Sequence, residues 1–308
     1  MNNAVTDDTR RAPETGRDTD FADRRSVLRA LVAEKNAVVL PGAPNALTAR
    51  IVEDLGFRAA YLTGAGLTNM SLGLPDLGFV TSNEVVEATA RISDVCTLPL
   101  IVDMDTGFGN ALNAYNTVRK LERAGAAAIQ IEDQVFPKKC GHFAGKAVIP
   151  TEEFVGKLKA CLDARRDGNT MIIARTDVRA IEGFEAAMER AHRMIEAGAD
   201  MIFVEAPENE EEIRAIGQLP APQLINFVFG GKTPMMTPDA LSDAGFSLVL
   251  YANAALQASV RAMHDVLGHL RRTGSLDGVS DRLASFAERQ RLVGKDEFDT
   301  LADRYDGS

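Results

Sequence analysis

The fold is decided by a design that the sequence repeats four times: LGFRAAYLTG at 55–64, AGAAAIQIED at 124–133, AGADMIFVEA at 197–206 and AGFSLVLYAN at 244–253. In each copy a glycine follows a helix-like segment, and an apolar run of strand type begins within about three residues. Glycine is favoured just past the C-terminus of a helix because it adopts the left-handed backbone conformation without strain. The repeat therefore predicts helices that alternate with buried strands.

Working outward from these copies, we find eight apolar runs of strand type. They are Ala37–Leu40, Ala59–Leu62, Leu98–Val102, Ala127–Ile131, Met171–Ala174, Met201–Val204, Gln223–Ile225 and Ser247–Leu250. Helical periodicity fills most intervals, as at Leu47–Leu55, Asn83–Ser93, Leu112–Arg123, Glu152–Ala164 and Phe184–Ala197. Strands that are apolar on both faces and alternate with helices are typical of a parallel sheet covered by helices. Because no Gly-x-Gly-x-x-Gly motif occurs early in the chain, we predict an α/β fold of the (β/α)8 TIM-barrel type rather than a Rossmann sheet.

The two ends of the chain differ from the repeating part. Residues 1–20 are polar and predict a disordered tail, whereas residues 21–308 are predicted to form a single barrel domain that begins with a helix near Phe21–Glu34. Helical periodicity continues beyond the eighth strand, at about 253–272 and 281–305. A barrel does not need all of these helices, so we interpret the surplus as a C-terminal arm that packs against another subunit.

Composition and charge limit the classes of function. With 308 residues, of which 45% are hydrophobic, the chain can bury one large core. The formal net charge of -10 argues against a general nucleic-acid surface, and no apolar run approaches the roughly 18 residues of a membrane helix. The polar start lacks the apolar core of a secretory signal. The three cysteines are too few for a disulfide framework, so we expect a cytoplasmic protein.

Polar residues follow the predicted strands at the point where each strand ends. They are Thr63, Asp103, Asp105, Glu132, Asp133, Arg175, Asp177, Glu205 and Asn226. In a barrel of parallel strands the carboxyl ends of the strands form one rim, and this rim carries the active site. Each residue alone is better explained as a helix cap or a solvated strand end. Carboxylates gathered this closely repel each other, however, and a divalent cation relieves that repulsion.

The candidate metal ligands all offer oxygen atoms, and no cluster of histidine and cysteine has the spacing of a zinc site. Oxygen ligation by one or two carboxylates, completed by water and substrate, suits magnesium, with manganese as the alternative ion. Asp103 and Asp105 are two residues apart, so strand alternation is expected to turn both side chains towards the barrel mouth. Glu132 ends the next strand. We therefore predict a magnesium site formed by these three acids.

A further candidate is the segment Lys138–His142 (KKCGH), which follows the fourth strand in a long connection. Cys140 lies between two lysines and a histidine, and nearby cations favour the thiolate. The alternative is an inert loop thiol, and His142 is equally well explained as a surface residue. Cys96 and Cys161 lie at or on predicted helices, where we expect buried packing residues.

Two glycine-rich stretches leave two interpretations open. Thr63–Gly66 (TGAG) is either a tight turn or a place where backbone N–H groups approach a ligand carboxylate. Gly230–Pro234 (GGKTP) follows the seventh strand, and its Lys232 either pairs with an anion or covers the surface.

Taken together, these stretches resemble the isocitrate lyase/phosphoenolpyruvate mutase superfamily over about Leu31 to Arg289. The motifs that carry the resemblance are LPGAPNALTARI (40–51), YLTGAG (61–66), SLGLPDLGF (71–79), VDMDTGFGN (102–110), IEDQ (131–134), KKCGH (138–142), ARTD (174–177), FVEA (203–206) and NFVFGGKTP (226–234). The combination of KKCGH with the upstream Asp-x-Asp is the most specific of them. The resemblance implies a barrel that assembles as a homotetramer, a dimer of dimers, with a C-terminal helix exchanged between paired subunits.

The resemblance also implies roles for individual residues. Asp103 binds the magnesium directly, while Asp105 and Glu132 hold it largely through water. The implied substrate-binding residues are Thr63, Gly64, Ala65, Asp76, Gly141, His142, Arg175, Glu205, Asn226 and Val228. The implied catalytic residues are Cys140, Tyr61 and Arg175. Cys140 is the expected proton donor, and the general base is either Tyr61 or a carboxylate linked to the metal.

Because lyases of this superfamily share the Lys-Cys-Gly-His type of segment, the resemblance implies cleavage of a carbon–carbon bond in a small 2-hydroxy or 2-oxo carboxylate. Methylisocitrate lyases carry charged residues for a third carboxylate where this chain has Phe229 and Gln257. We therefore expect an alkylmalate such as 2,3-dimethylmalate as substrate. The alternatives are methylisocitrate lyase, oxaloacetate hydrolase or decarboxylase, carboxyphosphonoenolpyruvate phosphonomutase, and a silent barrel that only binds carboxylates.

Overall fold

The computed structural model describes residues 20–139 and 145–306. The strands in these ranges are β1 (Val38–Pro41), β2 (Ala60–Leu62), β3 (Leu100–Asp103), β4 (Ala128–Glu132), β5 (Met171–Thr176), β6 (Met201–Val204), β7 (Leu224–Asn226) and β8 (Leu248–Tyr251). The α-helices there are α1 (Phe21–Ala33), α2 (Ala46–Asp54), α3 (Gly64–Leu67), α4 (Ser82–Ser93), α5 (Ala111–Arg123), α6 (Thr151–Ala164), α7 (Arg179–Glu182), α8 (Phe184–Glu196), α9 (Glu210–Gly217), α10 (Pro238–Ala244), α11 (Ala254–Thr273), α12 (Phe286–Leu292) and α13 (Lys295–Tyr305). The segment predicted as a polar tail lies outside the described residues, except for Asp20.

The strands form a closed parallel barrel. Five of them pair in the order β2-β3-β4-β5-β6, and the other three pair in the order β1-β8-β7. All of these ladders are parallel. Two single parallel bridges join the groups, one between Gly42 and Tyr61 and the other between Ile202 and Gln223. This closure is the predicted (β/α)8 architecture.

The four repeated glycines lie just past helix ends, as the sequence predicts. Gly56, Gly125, Gly198 and Gly245 have φ angles between +80° and +106°, in the left-handed region. The next strand begins three or four residues after each glycine. A side chain with a Cβ atom would be strained at these positions, so the repeat encodes the helix-to-strand reversal directly.

Two apolar layers stabilise the barrel. One lies between the strands and the surrounding helices. The other fills the barrel, where inward-facing residues such as Ile101, Ile173 and Leu248 pack together with Leu28 and Leu31 of α1. Helix α1 therefore closes the barrel at the end opposite the carboxyl ends of the strands, which leaves that other end open for a site.

The structure differs from the sequence prediction in several short elements. The stretch Thr63–Gly66, for which we expected a tight turn or a backbone approach to a ligand, starts a helix: Thr63 caps α3, which continues into a π-helix at Thr68–Leu72. Helices α7, α9 and α10 have only four to eight residues, too few for a periodic pattern to stand out. Within the described ranges, no helix combines the length and apolar character needed to cross a membrane.

Candidate active site

The carboxyl ends of the strands surround one cavity at the barrel mouth, with a volume of about 450 Å³ including the part open to solvent. Its lining residues are Tyr61, Thr63, Ala65, Asp76, Asp103, Glu132, Lys138, Lys139, Arg175, Phe203, Glu205, Asn226, Val228, Leu250, Ala252 and Asn253. Among the predicted site residues that the structure describes, Gly64 and Asp105 do not line the cavity. Both lie next to Asp103, which does. The structure thus brings the predicted residues that it describes together at one place.

Asp103 and Asp105 lie side by side, but not for the reason expected from the sequence. Strand β3 ends at Asp103, and Asp105 has a positive φ of 48°. The chain therefore turns after the strand, and the Asp105 N–H donates to Asp103 Oδ1 at 3.0 Å. Strand alternation does not extend to Asp105, so the expected i, i+2 relation is wrong here, although the two carboxylates still come together.

Lys138 inserts its ammonium group among these acids. Its Nζ lies 2.5 Å from Asp76 Oδ1 and 2.7 Å from Asp105 Oδ1, and its side chain is only 4% exposed. Burial opposes the charge on Lys138, but the surrounding carboxylates outweigh it and raise the pKa of the ammonium well above its usual value. In the sequence Lys138 lies close to Cys140 in an irregular connection, and no pattern there indicates that Lys138 pairs with Asp76. The one available signal was the excess of acidic residues at the strand ends, which predicts that a cation lies among them.

The acids at the mouth are held in a low-dielectric environment. Burial raises the pKa of the Asp105 carboxyl to about 6, although Lys138 opposes the shift. Burial likewise raises the pKa of Glu132 well above its usual value, against the effect of Arg175. Buried carboxylates titrate upward in this way when the ionised form lacks sufficient compensation. A further positive charge would therefore stabilise the ionised cluster.

Arg175 is fixed by acids on three sides. Its Nε donates to Asp177 Oδ2 at 2.9 Å and lies 3.4 Å from Glu132 Oε2, while its Nη2 lies 3.7 Å from Glu205 Oε2. Arg175 pairs with Glu132 in the β4–β5 register and with Phe203 in the β5–β6 register. The guanidinium carbon lies 5.0 Å from the centre of the Phe203 ring, a cation–π arrangement. The barrel register thus places a fully charged guanidinium in the cavity wall.

Tyr61 is buried and its hydroxyl is already engaged. The hydroxyl donates to Gln130 Oε1 at 2.8 Å, and Gln130 Nε2 donates to Asp103 Oδ1 at 3.3 Å. Burial, together with the nearby Asp103, raises the pKa of the phenol well above its usual value. A phenol of this kind stays protonated near neutral pH, so the geometry favours the carboxylate alternative for the general base.

The cavity lining includes four apolar residues, which we call the apolar wall, and the sequence identified only one of them. They are Phe203, Val228, Leu250 and Ala252, of which only Val228 was a predicted site residue. Phe203 and Leu250 belong to the apolar cluster that fills the barrel. In the sequence these two residues therefore resemble ordinary buried strand residues. Only the structure shows that they also line the cavity.

Phe229 and Gln257, which we expected near the substrate, lie elsewhere. Gln257 Nε2 donates to Phe229 O at 3.3 Å, and both residues line a separate cavity. The other residues of that cavity are Phe227, Met235, Tyr251 and Ala254. Asn226 and Val228 face the mouth, whereas the residues that alternate with them face away from it. The apolar character of the mouth therefore comes from the wall described above and not from Phe229.

Three predicted residues, Cys140, Gly141 and His142, lie outside the described residues. The positions flanking them are held by hydrogen bonds. Gln134 exchanges two hydrogen bonds with the backbone of Lys139, at 2.8 and 2.9 Å, and Lys139 Nζ donates to Gly145 O at 2.8 Å. The cavity-lining Lys139 and Gly145, the described residues on either side of the three, are therefore held together.

The residues at the mouth fit a magnesium ion that is held by few protein ligands. Glu132 Oε1 is buried without a hydrogen-bond partner, and the amine of Lys138 shows that a cation is stabilised among these acids. Across residues 20–139 and 145–306, no three acidic, histidine or cysteine side chains are arranged as the ligands of one ion. Magnesium commonly takes one or two carboxylates and completes its shell with water and substrate oxygens, so the oxygen-rich donor set fits.

Comparisons with known proteins agree with this architecture. The phosphoenolpyruvate phosphomutase family matches residues 28–271. The chain is 42% identical to 2,3-dimethylmalate lyase of Eubacterium barkeri, over 90% of this chain and 96% of that protein. It is 46% identical to 2-methylisocitrate lyase of Aeropyrum pernix, over 89% of this chain and 88% of that protein.

Solved structures give the same result. Oxaloacetate acetylhydrolase in complex with 3,3-difluorooxalacetate superposes with a TM-score of 0.87 and 30% identity, covering 94% of this chain and 98% of that one. Phosphonopyruvate hydrolase in complex with oxalate and Mg²⁺ superposes with a TM-score of 0.82 and 31% identity, covering 92% and 99%. The chain belongs to the phosphoenolpyruvate phosphomutase family, within the isocitrate lyase/phosphoenolpyruvate mutase superfamily. It is an enzyme of the carbon–carbon lyase type found in that superfamily.

Proposed function

We propose that the chain is a magnesium-dependent lyase that cleaves an alkylmalate, such as 2,3-dimethylmalate, into a 2-oxo acid and a second carboxylic acid. The observation that carries this proposal is the composition of the mouth cavity. Its lining combines an oxygen-rich cluster and Arg175 with the apolar wall of Phe203, Val228, Leu250 and Ala252, and the Phe203 ring lies against the Arg175 guanidinium. This arrangement suits a small dicarboxylate with an apolar substituent.

The cations at the mouth support a substrate with two carboxylates. Within the described part of the chain, only Arg175, Lys138 and Lys139 bring positive charge to the cavity lining. Arg175 and Lys138 are already engaged by buried acids. A buried carboxylate without a charged partner is costly, so a third carboxylate has little support here.

Magnesium, when bound by Asp103 with Asp105 and Glu132 through water, supplies electrostatic stabilisation of negative charge on the substrate oxygens. Thr63, Gly64 and Ala65 bind one carboxylate through the hydroxyl and the backbone N–H groups at the start of α3. Arg175, Glu205 and Asn226 orient the substrate, and the apolar wall receives its alkyl group. Asp76 keeps Lys138 in place at the rim.

The reaction then proceeds by retro-aldol (retro-Claisen) cleavage. A carboxylate at the mouth removes the proton of the 2-hydroxyl, the C2–O bond becomes a carbonyl, and the C2–C3 bond breaks. Its electron pair passes to C3 as the enolate of the departing acid, and Cys140 protonates that carbon. Tyr61 remains a hydrogen-bond donor in this scheme, since its raised pKa opposes a role as base.

A second candidate is 2-methylisocitrate lyase. It is favoured by the 46% identity to the Aeropyrum pernix enzyme and by Lys139, a cationic residue of the cavity lining. If Lys139 leaves Gly145 O for a ligand, it provides the partner that a third carboxylate needs. The two candidates differ in this one charge, so a substrate comparison separates them.

The test is release of pyruvate from 2,3-dimethylmalate and 2-methylisocitrate, with consumption of oxaloacetate measured in parallel, each with Mg²⁺, with Mn²⁺ and with EDTA. We expect metal-dependent release from the alkylmalate, at least about tenfold faster than from the others, because one unmatched charge commonly costs more than the 1.4 kcal/mol that tenfold represents. The matched control is Asp103→Asn, which should be inactive and should no longer bind oxalate in a Mg²⁺-dependent manner. Preference for 2-methylisocitrate supports the second candidate. Metal-dependent oxalate binding without turnover of any substrate would identify a silent barrel.

A further inference from the structure

Asp177 is completely buried beneath the mouth and is shared by two cations. Its carboxylate accepts hydrogen bonds from Arg175 Nε at 2.9 Å and from Arg175 Nη2 at 3.1 Å. It also accepts one from Lys146 Nζ at 2.7 Å. The side chain of Lys146 is 2% exposed and that of Asp177 is 0% exposed. A lysine so deeply buried requires a reason, because the desolvation of an ammonium group is expensive.

Lys146 is not a member of the mouth cavity, whereas Arg175 lines it. Lys146 follows Gly145, the residue whose carbonyl accepts from Lys139 where the chain returns from the KKCGH segment. Asp177 is itself fixed from behind, since its N–H donates to Asp133 Oδ1 at 2.9 Å, and Asp133 Oδ2 accepts from Arg190 at 2.9 Å. The carboxylate therefore has a rigid support, and it accepts from Arg175, which lines the cavity, and from Lys146, which does not.

The charges explain what this lysine does. A bidentate pair between Arg175 and Asp177 alone is neutral, which would leave the arginine with little net attraction for an anionic ligand. Lys146 on the same carboxylate makes these three side chains more positive by one charge, and this charge lies beside Glu132 and Glu205, which are 3.4 and 3.7 Å from the Arg175 guanidinium. Burial disfavours the ionised Asp177, but Arg175 and Lys146 outweigh it and hold the pKa of this carboxyl below its usual range. Asp177 is thus a true carboxylate between two cations.

We propose that Lys146 is a positioning residue that offsets the charge of Asp177, so that Arg175 stays oriented by Asp177 and yet retains its charge for a substrate carboxylate. The proposal deepens the proposed function, because it rests on a carboxylate ligand at the mouth. The role proposed for Lys146 does not depend on which carboxylic acid is the substrate. Binding of oxalate therefore tests this role separately from turnover.

The experiment uses the full chain and measures oxalate binding by calorimetry in the presence of Mg²⁺, with thermal unfolding recorded for every variant. The variants are Lys146→Met, Lys146→Arg, Asp177→Asn with Lys146→Met, and the exposed control Lys159→Met on α6. We expect Lys146→Met to weaken oxalate binding by about tenfold or more, as for the loss of a charge-assisted contact. Lys146→Arg should keep affinity within about threefold of the parent, because the positive charge remains. The control should not change affinity.

The double variant separates charge from packing. Removing the positive and the negative group together restores the net positive charge at Arg175, so the double variant should bind oxalate more tightly than Lys146→Met alone. A purely structural lysine predicts no such recovery. If Lys146→Met does not fold, the double variant is compared with the parent, and a loss of oxalate affinity of about tenfold or more then overturns the proposal. Parent-like affinity of Lys146→Met, or a double variant no better than that single variant, overturns the proposal. If the parent binds oxalate but cleaves none of the tested substrates, the proposed function is contradicted. The role proposed for Lys146 is not affected by that result.

Discussion

At the scale of single residues, the mouth depends on how closely the backbone of α3 approaches the acids. A Cβ atom added to Gly64 would lie 3.1 Å from Asp105 Oδ1 and 3.2 Å from Asp103 Oδ2. These separations are shorter than ordinary contacts between carbon and oxygen. Gly64 is in a helical turn, so its backbone conformation accepts alanine, and the steric effect falls on the two carboxylates.

We therefore predict that Gly64→Ala weakens Mg²⁺-dependent oxalate binding by about tenfold, equivalent to about 1.4 kcal/mol, with little loss of thermal stability. The methyl group displaces the carboxylates from the positions that the ion requires. Calorimetry gives the affinity and differential scanning fluorimetry the stability. Gly156→Ala in α6 is the control, since nothing lies within 4 Å of its added Cβ. Unchanged oxalate affinity in Gly64→Ala would remove these acids from the metal site.

A second prediction concerns Cys140. Cys140→Ser should abolish turnover of the preferred substrate while Mg²⁺-dependent oxalate binding stays near the parent value, because a serine hydroxyl is a much weaker proton donor than a thiol. A stopped assay for 2-oxo acid, run beside oxalate calorimetry, measures both quantities. Cys161→Ser is the matched control, as Cys161 is buried on α6 away from the mouth. Turnover that survives in Cys140→Ser would assign the proton to another group.

How far single residues could be predicted depended on their place in the repeat. Four site residues lie at or next to the carboxyl ends of strands: Asp103, Glu132, Arg175 and Glu205. Because these strand ends form one rim in a parallel barrel, the fold alone predicts that the four residues lie together. Asp76 lies far from any strand, and only the family resemblance pointed to it. Lys138 and Lys146 lie in an irregular connection without periodicity, so their buried ion pairs could not be read from the sequence.

At the scale of elements, the barrel has a tight point where β1 leaves the sheet. Gly42 bridges to Tyr61, and its N–H donates to Tyr251 O at 3.1 Å. A Cβ atom at Gly42 would lie 1.9 Å from Ala252 O, a backbone atom beside the mouth cavity. This contact cannot be relieved by rotating a side chain, so the ends of β1 and β8 would have to move apart.

Gly42→Ala should therefore lower the free energy of unfolding by about 3 kcal/mol, the upper part of the range for overpacking a tight site. Urea unfolding followed by far-UV circular dichroism measures it. The control Gly156→Ala replaces a glycine inside a helix and should instead stabilise the chain by about 0.5–1 kcal/mol. Equal unfolding midpoints for Gly42→Ala and the parent protein would show that the strand ends separate without cost.

Elements with a clear period were predictable, and short ones were not. The expected strand Met201–Val204 coincides with β6, and most other strands begin one or two residues later than expected. These shifts arise because a strand begins where it starts to pair with its neighbour. That pairing depends on tertiary structure, which the sequence pattern does not specify. The π-helix at Thr68–Leu72 follows α3 without any repeat in its letters. Its sequence, TNMSL, carries no signal for that geometry.

At the scale of the whole molecule, the C-terminal arm has an apolar face that the barrel does not cover. Helix α11 runs for 20 residues without a buried residue. Val260, Met263 and Leu267 are 55%, 49% and 59% exposed, and their spacing places them on one side of the helix. Leu256, Val260 and Met263 also line a groove with Met70 of the π-helix. A stripe of this kind is typical of a surface that another protein covers.

We expect a second copy of this chain to cover the stripe, in a homotetramer whose paired subunits exchange their C-terminal helices. Light scattering coupled to size-exclusion chromatography should then give a particle of about four times the 33.2 kDa chain. Replacing Val260 and Leu267 with glutamate should shift the parent particle to smaller species, because charged groups would have to be buried in the interface. The matched control places glutamates at Ala258 and Ala262, which are exposed on the opposite side of α11. It adds the same charge and should leave the assembly intact. A monomer at micromolar concentration in the parent protein, or equal dissociation of both double variants, would show that the stripe serves another contact. If the tetramer forms as expected, the arm that a bare barrel does not need is explained by assembly.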